Sequence, residues 1–349
     1  MLHYLTAGES HGRALLAILE GMPAGLEVKI KRVNQELRRR QQGYGRGKRM
    51  QIERDKAEFL SGLKNGFSLG SPIGILIKNK DFRIESLPSV ICPRPGHADL
   101  AGLLKYGFSD VRNVLERASA RETAARVAVG AVCKIFLEEF GIKIISRVLE
   151  IGGRLRRDQM KQVIDEARKK KDTVGGIFEV RASNVIPGLG SYTQPDRRLD
   201  ARLAKAVMSI PGIKAVQIGL GFRYACKFGS EVHDPIYHSK NKGFYHQTNN
   251  AGGIEGGVSN GEDIILSACM KPISTLLAPL DSVNIKTKAK AKASIERSDI
   301  CVVEAAGVIA EATVAFELAG AYLDKFGCDA LSDIKASYRL YLKRVSKIM

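Results

Sequence analysis

The segment LTAGESHGRALL, residues 5–16, sets Glu9, Ser10 and His11 between Gly8 and Gly12. No regular helix or strand favours that order. Flanking glycines suit a backbone that turns sharply or lets another group come close. An imidazole held there can exchange a proton near neutral pH, although a solvated loop carrying an incidental histidine has the same local signature. His97 lies in a second such loop, RPGHADL, beside Arg94 and Asp99, where Pro93 and Pro95 bar regular ladders. Taken alone, His97 serves equally well as a hydrogen-bonding turn residue. Asp299, in IERSDI, stands at the mouth of the last long helical pattern. It reads either as a helix cap or as a buried carboxylate poised as a base.

Anion-binding chemistry is spread over several further stretches. From Lys29 to Lys56 the chain carries 11 basic and 3 acidic residues, with Arg40 ending a helical pattern and Arg46 in the glycine-punctuated loop GYGRGKR. That loop is not a nucleotide-hydrolase phosphate loop: Gly43 to Gly47 is one residue short, and Arg49 follows Lys48. What remains is a guanidinium clamp for phosphate and carboxylate, or an RNA-binding surface with Tyr44 as its sole stacking platform. ERASARET, residues 116–123, places Arg117, Ala118, Ser119 and Arg121 just before a strong helix. The stretch is an anion site built on exposed amides or a capping motif around Glu122. NNAGGIEGG packs four glycines, among them Gly256, into residues 252–257, where the backbone can approach a flat ligand. In MKPIST, Lys271, Ser274 and Thr275 suit phosphate or ring carbonyls.

Strands are expected within residues 1–30 and in PIGILIKNKD, GGIFEVRAS, AVQIGLGF, GEDIILSACMKP and AKASIERSD. Helices are expected in VNQELRRRQQG with Asn34 as cap, in residues 120–141, in RDQMKQVIDEARKKKD, in LDARLAKAVMSIPG, in the long Ala-rich run from residue 301, and in LSDIKASYRLYLKRV. Residues 223–253 read as one long irregular loop. The mixture, with strands joined through turns, indicates an α+β fold in a single domain, residues 1–349. EARKKKD, 166–172, is the wet face of a helix.

The composition narrows the class. The net charge is +18, which points to anionic partners. Six scattered cysteines form no CxxC pair, so neither a zinc site nor a disulfide framework is expected, and a reducing cytoplasm fits. No secretory signal and no membrane span is read from the sequence.

In this order and at these spacings, GESHG (8–12), RRRQQGYGR (38–46), RPGHAD (94–99), ERASARETAARVA (116–128), NNAGGIEGG (249–257), MKPIST (270–275) and ERSD (296–299) resemble the chorismate synthase family over nearly the whole chain. The resemblance implies a β-α-β sandwich, with helices packed between antiparallel sheets, usually assembled as a homotetramer. It implies 1,4-elimination of phosphate from 5-enolpyruvylshikimate 3-phosphate, with reduced FMN as cofactor and no net redox change. It makes His11 a proton donor, His97 an assistant to the leaving phosphate, and Asp299 the carboxylate tied to the flavin ring and the abstracted proton. Flavin contacts carry over to Arg117, Ala118, Ser119, Gly256, Lys271, Pro272, Ile273, Ser274, Thr275 and Arg297. Arg40 and Arg46 match arginines assigned to phosphate-bearing ligands, NADPH or substrate, and Arg121 joins them on charge. Whether NADPH reduces the flavin on the enzyme or an external flavin reductase does so is left open. Neither a nucleic acid nor a membrane partner is implied. The chain departs from many members at Ala118 and Ile273, and from several at Ser298; loss of a hydroxyl at Ala118 removes one flavin contact that a backbone amide can replace. The rival readings are an RNA-binding protein built on residues 29–56 and a flavin-dependent reductase that consumes NADPH.

Overall fold

The computed structural model describes residues 1–47, 53–240, 243–296 and 299–348. Two four-stranded antiparallel sheets enclose a layer of helices. The first sheet comprises β1 (His3–Ala7), β2 (Ala14–Glu20), β3 (Ala57–Phe59) and β4 (Ile73–Lys78), in the order β1-β2-β4-β3. The second comprises β5 (Lys143–Ile151), β6 (Gly176–Ser183), β7 (Ile213–Ile218) and β8 (Ile264–Met270), in the order β5-β6-β8-β7. The helices among the described residues are α1 (Ile30–Gln41), α2 (Asp99–Tyr106), α3 (Arg112–Ala118), α4 (Thr123–Glu138), α5 (Arg157–Lys169), α6 (Leu199–Met208), α7 (Gly229–Val232), α8 (Val303–Phe326) and α9 (Leu331–Val345). The expected α+β sandwich is therefore present.

Period-two patterning orients the first sheet. Leu15, Ala17 and Leu19 of β2 are buried toward the helices, whereas Leu16 and Ile18 stay exposed on the outer face. Ile18 pairs with Leu5, which is also exposed, so an apolar stripe runs across the outside of this sheet. Inside, α4 packs on β2 and β4, and α8 packs on β5 and β6. The two helices meet where Gly130 lies against Ala312: a Cβ at Gly130 would come within 2.4 Å of the Ala312 Cα. Such closeness explains the small residues along both helices. Helix α8 is long and apolar enough to cross a membrane by length and composition, but 89% of its most apolar window is buried inside the fold. Its apolar surface belongs to the core.

Several local expectations are corrected. Asn34 caps nothing; it lies inside α1 and accepts a hydrogen bond from the Ala57 amide at 2.8 Å, a tertiary contact that the local pattern does not encode. Residues 223–253 are not uniformly irregular. They hold α7 and a hairpin, Ile236–Ser239 with Gly243–His246, whose residues are exposed or half-buried, so no fully buried face writes a period into the sequence. In AKASIERSD, residues 291–299, the described strand is Lys290–Lys292, which covers just the first two positions. Helices α2 and α3 went unread because they are short and Gly102 interrupts the first, where Val114 of α3 packs so close that a Cβ would meet it at 2.4 Å.

Candidate active site

At one end of the helical layer, seven separated segments surround a single cavity of about 790 Å³. Ser10 and His11 come from the β1–β2 turn, and Arg40, Arg46 and Gly47 from the end of α1 and the loop beyond it. Arg94 to Ala98 precede α2, Ala118 to Arg121 join α3 to α4, and Ile210 to Gly212 join α6 to β7. Lys271 to Thr275 follow β8, and Asp299, Val302, Ala305, Ala306 and Ile309 belong to the entry of α8.

The GESHG turn owes its shape to Gly8 and Asn79. Gly8 has φ +102°, and any Cβ there would lie 2.3 Å from the Ala14 carbonyl. The Asn79 amide donates to the Glu9 and Gly12 carbonyls at 3.1 and 2.7 Å, while its own oxygen accepts from Arg121 Nε at 2.9 Å. His11 is then fixed by Glu116. The backbone N–H of His11 donates to Glu116 Oε2 at 2.9 Å, and Nδ1 lies 3.0 Å from both carboxylate oxygens. Burial opposes ionisation of Glu116, but the hydrogen bonds and charge of His11, with Arg112 behind them, hold its carboxyl below the ordinary range.

His97 is held in a similar way. Its Nδ1 lies 2.5 Å from Asp99 Oδ1, and Asp99 Oδ2 accepts from the backbone and the Nε of Arg94 at 3.0 and 2.8 Å. Arg94 Nη1 continues to Thr275 Oγ1 at 2.8 Å, which ties the histidine loop to the Lys271–Thr275 segment. Asp99 is fully buried. Burial again works against its charge, yet the bonds from His97 and Arg94 prevail and keep its carboxyl well below the usual value.

Asp299 does not cap α8, which begins at Val303. Its carboxylate accepts from the Gly47 amide and lies 3.6 Å from Arg46 Nε. Gly45 makes this approach possible. It has φ +91°, and a Cβ would fall 2.9 Å from Ile164 and 3.1 Å from Cys301.

Arg40, Arg46 and Arg121 converge on the same wall. Arg121 pairs with Asp55 at 2.7 Å, and Arg40 Nη2 lies 3.5 Å from Asp55. Burial pushes the Arg40 guanidinium down to about 10, with Asp55 opposing and Arg121 and Arg46 reinforcing, so it remains charged at neutral pH. Among the described residues no acceptor makes a hydrogen bond to Arg40 Nε or Nη2, Arg46 Nε or Arg121 Nη2, all of them buried. Three of these nitrogens still lie at ion-pair distance from a carboxylate, Arg40 Nη2 from Asp55, Arg46 Nε from Asp299 and Arg121 Nη2 from Glu53 at 3.8 Å, and all three arginines line the cavity, which puts guanidinium groups within reach of anionic oxygens.

The cavity thus gathers His11, His97, Asp299, Arg40, Arg46, Arg121, Ala118, Ser119, Lys271, Pro272, Ile273, Ser274 and Thr275. Two residues expected at the flavin lie elsewhere. Arg117 turns back to the Gly8 and Thr6 carbonyls at 2.8 and 3.0 Å, where it braces the turn that carries His11. Gly256 sits at the tip of the hairpin Ile254–Glu255 with Val258–Ser259, and its carbonyl accepts from Arg198 at 3.2 Å. Arg297 falls outside the described residues. Sequence reasoning gave no role to Glu116, Asn79 or Asp55, and missed the wall of Ile210, Pro211 and Gly212. Glu116 was visible as the first residue of ERASARET; its partner, 105 residues distant, was not.

The model of the chorismate synthase family matches residues 2–323. The chorismate synthase of Caldanaerobacter subterraneus subsp. tengcongensis is 54% identical over 347 residues, covering 99% of both chains. That of Thermoanaerobacter pseudethanolicus is 54% identical over 344 residues, covering 98% of both. A crystal structure of a chorismate synthase superposes with a TM-score of 0.83 at 42% identity, over 99% of this chain and 98% of the other. Matched by sequence and by fold along nearly its whole length, the chain belongs to the chorismate synthase family.

Proposed function

We propose that the chain eliminates phosphate from 5-enolpyruvylshikimate 3-phosphate to form chorismate, a carbon–oxygen lyase reaction, with reduced FMN held in the same cavity. The observation that carries this reading is the convergence of His11, His97 and Asp299 with Arg40, Arg46 and Arg121 around one space. The substrate brings a phosphate and two carboxylates, and FMN a further phosphate. The guanidinium groups of Arg40, Arg46 and Arg121 along the cavity match that demand, at about 1.5–3 kcal/mol for each charged hydrogen bond. Ile210, Pro211, Ala305 and Ile309 give an apolar wall for a flat ring, and Ala118, Ser119 and Lys271 to Thr275 edge it. These residues fit FMN. Reduced FMN, when bound, supplies electron density to the allylic centre and regains it within the turnover.

The protein's own groups then account for the proton and the leaving group. The C–H electron pair becomes the new double bond, the existing double bond shifts, and the C–O pair departs with phosphate; no electrons leave the system. Asp299 is the carboxylate for the departing proton. His97, its Nδ1 fixed by Asp99, turns Nε2 to the leaving phosphate, and Arg94 adds positive charge beside it. His11 is the proton donor to the bound ligands. The exposed apolar stripe of Leu5, Leu16 and Ile18 supports assembly with further copies, which we take to be a homotetramer, and the uncoupled cysteines fit a cytoplasmic enzyme.

The test is an anaerobic assay with photoreduced FMN and substrate, with and without NADPH. Chorismate formed with photoreduced FMN alone supports the synthase. Turnover from oxidised FMN plus NADPH would add a flavin-reducing activity of its own; its absence assigns reduction to an external reductase. No product in any arm, together with salt-sensitive retention on RNA, would replace the reading with the nucleic-acid one.

A further inference from the structure

We propose that Glu116 is a positioning residue that fixes a proton on Nδ1 of His11, so that His11 exchanges its reactive proton through Nε2 alone. The inference rests on the reading of His11 as a proton donor, and it adds the group that decides which nitrogen acts.

The argument begins with what Glu116 can accept and offer. Its side chain is 2% exposed and, ionised, has acceptors only. The His11 backbone N–H already donates to Oε2 at 2.9 Å, which fixes the carboxylate plane relative to the turn. Both oxygens sit 3.0 Å from Nδ1. A lone pair on Nδ1 would face two anionic oxygens at that distance, so Nδ1 must donate. A neutral His11 is therefore the Nδ1–H form, and a charged His11 returns to that form by releasing the proton on Nε2. Left to water, a neutral imidazole has no such constraint.

The surrounding charges are arranged to keep Glu116 ionised without leaving it bare. Arg112 of the same helix approaches Oε1 at 3.5 Å and passes on to Glu296, a cavity-lining carboxylate, at 3.0 Å. Asp81, beyond β4, lies 3.9 Å from His11 Nε2 and is itself engaged by Arg83. The Ser10 amide bonds to the Glu116 carbonyl at 2.9 Å, so backbone and side chain of one residue both hold the turn. The resulting arrangement is a carboxylate on Nδ1 of an imidazole that lines the cavity, with second-partner hydrogen bonding setting the tautomer.

Two readouts separate positioning from mere support of the fold. The first uses the ligand-free protein: ¹⁵N imidazole shifts of His11, identified among the six histidines by loss of its signals in His11→Ala. Wild type is expected to show the neutral ring protonated on Nδ1. Glu116→Gln keeps the size and an acceptor for the backbone N–H, but its amide can face Nδ1 either way, so the Nε2–H form should appear. The second is a double-mutant cycle in the anaerobic assay. Glu116→Gln should lower kcat roughly 10- to 100-fold with KM changed less than about twofold, and Glu116→Asp should fall between. In the His11→Ala background, Glu116→Gln should add less than about a twofold loss. A neutral His11 protonated on Nε2 in wild type, or an equal loss in both backgrounds, would overturn the proposal. A wild-type protein with the expected tautomer but no chorismate formation would instead overturn the reading of the reaction.

Discussion

His11 acquires its chemistry from residues far along the chain. Asn79 ties the turn, Glu116 holds the ring, and Arg121, bonded to Asn79, carries the turn's position into the arginine wall. His97 differs, because its partner Asp99 is two residues away and Arg94 three. That dyad was legible as a motif; the Glu116 pair was not, since loop residues reveal a distant partner only after folding. Two predictions belong at this scale. Asp99→Asn removes the charge that aligns both His97 and Arg94, so kcat should drop roughly 100-fold in steady-state assays while the far-ultraviolet circular dichroism spectrum is kept. Arg40→Met preserves the apolar stem but removes a cavity-lining guanidinium. The KM for substrate should rise roughly 10- to 100-fold, as expected for about 1.5–3 kcal/mol of charged hydrogen bonding. An unchanged KM would place the substrate's anionic groups elsewhere.

Among elements, α8 and α4 set the geometry. Their close crossing at Gly130 and Ala312 locates Ala305, Ala306 and Ile309 on the cavity wall. Gly130→Val should overpack this crossing and cost about 1–3 kcal/mol or more, read as a lower urea midpoint. Helix α8 also buries Glu311 completely, against Arg39 at 2.7 Å, Lys134, and the Ser146 amide at 2.8 Å. Burial raises the Glu311 carboxyl, but Arg39, Lys134 and Ser146 outweigh it and hold it low. Since its folded value lies below its unfolded one, the stability it contributes is present above the ordinary carboxylate value of about 4.3 and is lost as pH falls through the folded value. Glu311→Gln should therefore cost about 3 kcal/mol at pH 7 and flatten the acid side of the stability curve. The long Ala-rich pattern announced α8, and period-two runs announced the sheets. What stayed hidden was the hairpin within 236–246 and the short helices α2 and α3, elements held by tertiary packing and without a long repeat of their own.

For the molecule as a whole, the +18 charge divides between surface and interior. Arg39 meets Glu311, and Arg40 and Arg46 line the cavity, so part of the basic run 29–56 is turned inward. Composition gave the excess of bases, while only the fold shows which of them line the cavity. Binding should be visible as linkage. FMN at about 100 times its Kd should add about 2.7 kcal/mol of stability, seen as a rise in Tm that Arg40→Met reduces. The most direct test of the central claim, an elimination without net redox in a shared cavity, is a stoichiometric count. Chorismate formed, inorganic phosphate released and reduced flavin remaining are measured in one sealed, oxygen-free reaction. Equal amounts of chorismate and phosphate, with the flavin still reduced at the end, are expected; one flavin oxidised for each product molecule would contradict the account.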